Sequence, residues 1–322
     1  MSSLNKGICS ILTSAFGFAL MALFVRLCDD YGGSVSSFQK SFFRNLVALV
    51  IAGSVFLSRR RGGDGAGAEP VPRLPVKAWL LLLGRSVSGL VGIFGNFYAL
   101  SVIPIGEAMT LNKTAPFFTV FFSWLFLREG TGLRQVIALI AAFAGAMLVM
   151  KPGFAGEATF ATFCALAGGL GAGLAYTCVR ELGLLKVEGS FIVLFFSAFS
   201  TLGSLPFFIG HPAPMTAAQV LILLGAGVGA AIGQFGVTAA YRYAAPRDIA
   251  VFDYANVIFT SMFGYMFFAQ VPDMLSVAGF ILIVLAQSTA NHERRKGRLG
   301  VTRIFCKGHA AMLTTCRRFR SR

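Results

Sequence analysis

The feature that most constrains this chain is a long apolar pattern that it carries twice. Residues 92–129 read GIFGNFYALSVIPIGEAMTLNKTAPFFTVFFSWLFLRE, and residues 233–270 read GQFGVTAAYRYAAPRDIAVFDYANVIFTSMFGYMFFAQ. An offset of 141 residues sets Gly92 on Gly233, Ala99 on Ala240, Glu107 on Asp248, Leu111 on Phe252 and Asn112 on Asp253. At a slightly different offset, Arg26 in AFGFALMALFVRL faces Arg180 in GGLGAGLAYTCVREL. Ser37-Phe38 with Phe42-Phe43 faces Ser190-Phe191 with Phe195-Phe196. Self-similarity of this extent marks a duplicated structural unit.

The unit is apolar enough to live in lipid. Hydrophobic residues make up 56% of the chain and charged residues 13%, with a mean hydropathy of +0.74, far from a soluble domain. Apolar spans fall at 8–28, 36–57, 77–99, 104–127, 132–150, 160–180, 190–209, 216–242, 248–270 and 273–290. We read them as ten transmembrane helices of an all-α integral membrane protein, five per repeat. The first span is too long for a cleaved leader and lacks a small-residue cleavage site, so it is read as helix one. The units run over residues 5–152 and 158–290, followed by a basic tail at 291–322.

Loop charge sets the orientation. Lys6, the run Arg59-Arg60-Arg61 with Arg73 and Lys77, then Arg128, Arg134, Arg180, Lys186, Arg242 and Arg247 fall in alternate loops. The other loops are nearly bare, Lys151 excepted. Both termini are therefore expected in the cytoplasm, with the protein multi-pass in the plasma (cell inner) membrane. Five helices per unit then force the two units into opposite orientations, the inverted-repeat plan of many secondary transporters.

Two stretches stand outside the bilayer. Ser58 to Lys77 is a Gly/Pro-rich linker without apolar period. The tail carries much of the net charge of +15. Anionic headgroups or nucleic acid would suit it, but a positive-inside anchor is the simpler reading, and no nucleic-acid partner is expected. The six cysteines show no metal-ligand spacing, and no HExxH, nucleophile elbow or P-loop occurs. We expect no enzyme activity, no metal and no cofactor.

The segments FQKSFFRNLVALV (38–50), residues 96–129, GAMLVMKPG ending at Gly153, and AYRYAAPRDIAVFDYANVIF resemble the drug/metabolite transporter superfamily, specifically an EamA-type transporter with two EamA domains. The matched helices cover about 8 to 290. The resemblance implies export or uptake of small metabolites by alternating access, with helices one, three, four, six, eight and nine around a central cavity and five and ten outside. Gln270 stands where the first unit has Glu129, a departure from the family motif.

Charges inside spans mark the candidate site. At about 1.5 Å per residue, Arg44, Arg85 and Lys113 all fall near the midplane. Asp253 is the one carboxylate at comparable depth, with Glu107 and Asp248 nearer helix starts. Buried cations in excess call for a water-filled cavity or an anionic solute. The candidate solute contacts are Arg44, Arg85, Lys113, Asn112, Asn96, Tyr98, Tyr176 and Gln234; Asp253 and Glu107 are candidates for coupling or gating. Each has a plainer alternative. Arg44 would bond to helix-end carbonyls or a neighbouring helix, Lys40 would snorkel, and Glu107 and Asp248 would serve as helix N-terminal charges. Lys113 and Asp253 would form a structural pair, Asn96 and Gln234 helix–helix contacts, and Tyr98, Tyr176, Tyr241 and Tyr254 aromatic packing.

The function expected is a secondary transporter for an amino acid or other carboxylate- or phosphate-bearing amphipathic metabolite, an exporter or exchanger. The alternatives are an uptake carrier for a nucleotide- or vitamin-like solute, or a non-transporting membrane scaffold. The expected partners are the solute and the lipid bilayer, with protons as candidate coupling ion and a homodimer as candidate assembly.

Overall fold

The computed structural model of the chain describes residues 2–31, 35–61, 74–102, 111–150, 159–210 and 214–289. Glu107, most of the 58–77 linker and the 291–322 tail lie outside them. The described residues form helices α1 (Ser3–Asp30), α2 (Ser37–Arg61), α3 (Val76–Val102), α4 (Ala115–Leu127), α5 (Leu133–Met150), α6 (Thr159–Leu184), α7 (Gly189–Gly210) and α8 (Ala217–Tyr243). The segment α9 (Pro246–Phe268) and helix α10 (Met274–Thr289) complete the set. Eight of these are long and apolar enough to cross a membrane; α4 and α10 are shorter apolar helices. The protein is an all-helical, multi-pass membrane protein.

Helix ends follow local chemistry. Ser2 caps α1 by accepting from the Asn5 amide. Thr216 and Gln219 form a reciprocal capping box at α8. On α3 the sides are inverted relative to a soluble helix. Leu80, Leu83, Val87 and Val91 are exposed, as lipid-facing residues must be, while Arg85, Ser86 and Ser88 are buried. Polar groups point into the bundle because hydrocarbon offers them no partner.

The most extensive packing is α1 on α8, α3 on α6 and α2 on α7, so each main contact joins the first half of the chain to the second. Glycine allows the first two. A Cβ on Gly17 would lie 2.6 Å from the Gly233 nitrogen and 2.9 Å from the Gly229 oxygen, and one on Gly171 would lie 2.6 Å from the Ser88 oxygen. Without side chains in between, backbones touch and dispersion does the work that the hydrophobic effect does in water. α1 and α8 are antiparallel: Gly7 meets Ala244, and the Cys28 carbonyl accepts from Gln219 Nε2.

Two helices differ from the continuous spans read in the sequence. Leu111 and Asn112 are helical, Lys113 and Thr114 form a turn, and α4 resumes at Ala115 with Pro116 in its first turn. Proline has no N–H to give to the preceding turn, so a break here is inexpensive. α9 breaks at the corresponding place: one turn at Pro246–Ile249, a 3₁₀ stretch at Ala250–Tyr254, then regular helix from Ala255 to Phe268. The correspondence extends to the far ends. Arg128 (φ 55°) and Ala269 (φ 51°), 141 residues apart, both close their helices in the left-handed conformation. The next amides, of Glu129 and Gln270, donate to the Ser123 and Gly264 carbonyls.

Candidate functional site

The two breaks face each other. The Tyr254 hydroxyl donates to the Lys113 carbonyl at 2.9 Å, using a backbone acceptor that a continuous helix would have consumed. Lys113 Nζ stands 3.7 Å from Asp253 Oδ2, with the side chains 12% and 15% exposed. The structure thus brings together the pair foreseen from the sequence, but as an ion pair longer than a hydrogen bond. Asn112 is half-buried beside it. Gly169 of α6 runs so close that a Cβ would sit 2.5 Å from Thr114 Oγ1 and 2.9 Å from the Leu111 oxygen.

Arg85 is buried, at 2% exposure. Its Nη2 donates to Gln234 Oε1 of α8 at 2.8 Å, and its Cζ lies 3.5 Å from the centroid of the Phe196 ring on α7. Gly89, one turn along α3, makes the room, since a Cβ there would be 2.8 Å from Phe196 and 3.0 Å from Arg85 Nη1. Arg85 Nε has no partner. Arg44 on α2 is less satisfied still: its buried Nε is unpartnered, and no hydrogen bond or ion pair to another described residue holds it. The helix-end carbonyls considered for it are not used among the described residues.

Tyr176 of α6 links these groups. It lies within electrostatic reach of Arg44, Arg85 and Asp253, and its ring stacks on Tyr241 of α8 at 5.3 Å and 23°. Gln234 is thus drawn into the cluster as an Arg85 acceptor. Asn96 and Tyr98 are not near it along the helix, lying more than ten residues, on the order of 16 Å, beyond Arg85 on α3. Asn96 packs against Gly168 with its Oδ1 unpartnered. Tyr98 is 45% exposed, edge-on to the exposed Phe160. Lys40 does not simply snorkel; it pairs with Asp29 at 2.6 Å.

Chemically the cluster holds positive charge without a matching counter-charge among the described residues. Guanidinium in a low-dielectric interior is costly without a counter-charge, and neither Arg44 nor Arg85 has a carboxylate partner among the described residues. Among those residues no group of three His, Cys, Asp or Glu side chains forms a metal site.

Two arginine contacts at opposite ends of the bundle were not foreseen. Arg180 on α6 donates through Nε and Nη2 to Glu129 Oε1 at 2.9 and 2.8 Å, and Ser123 donates to Glu129 Oε2 at 2.6 Å. Arg26 on α1 donates through Nη1 and Nη2 to the Gln270 side-chain oxygen at 2.7 and 2.8 Å, in the amide orientation that satisfies both groups. The signals were present: Arg26 aligns with Arg180 and Gln270 with Glu129 in the repeat. What the sequence lacks is the antiparallel docking that carries each arginine to the other half's helix end.

Comparison with known proteins agrees with this architecture. A solved crystal structure superposes with a TM-score of 0.74 at 19% identity, covering 91% of this chain and 98% of that one, which shows the fold. The pseudopaline exporter CntI of Pseudomonas aeruginosa is 28% identical over 285 residues, 88% of this chain and 95% of its own. The riboflavin transporter of Vibrio cholerae is 28% identical over 218 residues, 65% and 69%. Solute carrier family 35 member G1 of Mus musculus is 24% identical over 304 residues, 89% and 78%. The model of the EamA-like transporter family matches residues 5–151. The first half of the chain thus matches the EamA-like transporter family, and most of its length is similar to known membrane transporters.

Proposed function

We propose that the protein is a secondary carrier that moves a small carboxylate- or phosphate-bearing amphipathic solute by alternating access, as an exporter or exchanger. The observation that carries this is the half-buried Arg44 and the buried Arg85, two guanidiniums without a carboxylate partner among the described residues. An anionic solute would supply the partner and would be held by charge-assisted hydrogen bonds. Lys113 and Asp253 stand where the two broken helices meet, and Tyr176 lies within electrostatic reach of Asp253 and of both arginines, an arrangement like that of carriers whose site lies at discontinuous helices near the midplane. The two halves would be inverted five-helix repeats, each with an EamA-type domain, rocking about this site. The printed names of the relatives, an exporter and a riboflavin transporter, support a solute carrier and leave its cargo to experiment. Flux into proteoliposomes of a panel of amino acids, nucleotides and organic acids tests the reading; no saturable flux for any anionic solute would refute it.

By the loop charges, both termini would lie in the cytoplasm. Cys306 and Cys316 in the tail should accordingly resist an impermeant thiol reagent applied to intact cells; ready labelling would invert the topology.

Protons are the proposed coupling ion, carried at Asp253. Its repeat counterpart Asn112 cannot titrate, and Lys113 approaches it only to 3.7 Å. Because Lys113 and Asp253 belong to different halves, rocking would lengthen or close that distance, freeing the carboxylate to bind a proton in one state and release it in the other. Asp253→Asn should keep solute binding but lose the acceleration of flux by a pH gradient. A variant that still responds to the gradient like the parent protein would exclude Asp253 as the carrier of protons.

A further inference from the structure

The two arginine contacts divide along the repeat. Glu129 and Gln270 are 141 residues apart, as are the left-handed residues Arg128 and Ala269 and the cap acceptors Ser123 and Gly264. The contacts are therefore counterparts, and each joins the end of a broken helix in one half to a helix of the other half. They also sit at opposite ends of α8. Arg180 reaches the Tyr241 carbonyl near its C-terminus, while Cys28, two residues beyond Arg26, accepts from Gln219 near its N-terminus. That separates them by about 30 Å, the thickness of a bilayer core.

Their chemistry differs. At the Glu129 end the partners carry opposite charge, are 13% and 15% exposed, and have the second carboxylate oxygen satisfied by Ser123. At the Gln270 end the acceptor is neutral and both partners are exposed. Gly264 has no hydroxyl to offer, and a Cβ there would stand 2.7 Å from the Gln270 side-chain amide, so a serine like Ser123 would not fit without a shift. A neutral contact open to water competes with solvent for both partners, whereas a shielded, fully satisfied ion pair holds.

We infer that these contacts are the two gates of the carrier, and that their unequal chemistry makes the empty protein open at the Gln270 end in preference to the Glu129 end. With the termini cytoplasmic, the Gln270 end is external. The carrier rests outward-facing, and the solute must break the Arg180–Glu129 contact for the inward-facing state to form. This rests on the alternating-access reading, which it extends by naming the groups that part and the side that parts first.

Distances across each end test it without any solute. In a background with native cysteines replaced, spin labels go at Gly130 and Leu185 for one end and at Tyr31 and Val271 for the other. Gly130 has nothing within 4 Å of an added side chain, and Leu185, Tyr31 and Val271 are exposed. In purified parent protein the Tyr31–Val271 pair should show a long-distance population and the Gly130–Leu185 pair should not. Gln270→Glu supplies the missing charge and should shrink that population roughly two- to fivefold, the worth of a solvent-exposed ion pair. Glu129→Gln should create a long population at Gly130–Leu185. Should Glu129→Gln destabilise the fold by leaving Arg180 without its counter-charge, Gln270→Glu at its exposed position decides alone. Unchanged or widened Tyr31–Val271 distances in Gln270→Glu overturn the gate assignment. The carrier reading fails separately: distances that shift as stated, with no flux for any solute, would sink that reading and leave the gates standing.

Discussion

Arg85→Met should abolish transport and leave the protein at least as stable as before. Removing a charge-assisted contact to an anionic solute costs on the order of 1.5–3 kcal/mol per bond, and a guanidinium offers several, so flux should fall at least roughly a hundredfold. Stability should move the other way. Arg85 is 2% exposed and opposed by no carboxylate among the described residues, so the fold bears its desolvation with only Gln234 and the Phe196 ring in return. Replacing buried charge by an apolar group of similar reach is often neutral or stabilising, and a thioether packs well on an aromatic ring. Thermal midpoints of purified parent and variant, measured beside flux, check both halves. Arg44→Met should behave alike, and Arg85→Lys should retain part of the flux. A variant that melts well below the parent would mark Arg85 as structural, because a structural arginine loses stability and activity together.

Gly17→Val should prevent assembly of the bundle. The atoms a new side chain would strike are backbone, the Gly233 nitrogen at 2.6 Å and the Gly229 oxygen at 2.9 Å from the Cβ alone, and α8 cannot yield there without unseating Gln234. Overpacking of this kind costs about 3 kcal/mol or more, a large part of a marginal stability. Size-exclusion profiles in mild detergent should show aggregate in place of a single peak. Gly171→Val, where α3 meets α6, should do the same, because Ser88 presents its carbonyl at 2.6 Å. Gly53→Val should be tolerated, having only the Leu194 side chain at 3.8 Å. Normal profiles for Gly17→Val and Gly171→Val would mean that the α1–α8 and α3–α6 crossings are not close backbone contacts.

Much of this architecture was legible in the residues. Long apolar spans gave the helices because lipid demands both length and apolarity. Charges within spans gave Arg44, Arg85 and the Lys113–Asp253 pair because nothing else excuses their cost. Where the reading fell short, the missing information was either faint or long-range. Pro116 was a local signal for the break in α4. Its counterpart Val257 carries none, and the 3₁₀ stretch of α9 comes from docking against α1, α4 and α5. Asn96 and Tyr98 were read as candidate solute contacts, yet they lie far along α3 from Arg85 and Tyr98 packs on the exposed Phe160. Phe196, stacked beneath the Arg85 guanidinium, looked like one of many apolar residues in α7. Only the docking of α7 on α3 tells it apart.

The central claim is that Arg44 and Arg85 form a receptor for a negatively charged group on the solute. Counterflow in proteoliposomes with matched pairs of solutes, each acid beside its neutral amide, tests it most directly. The account predicts saturable exchange for at least one acid, none for its amide, and none for either in Arg85→Met. Equal exchange of acid and amide, unaffected by Arg85→Met, would contradict it.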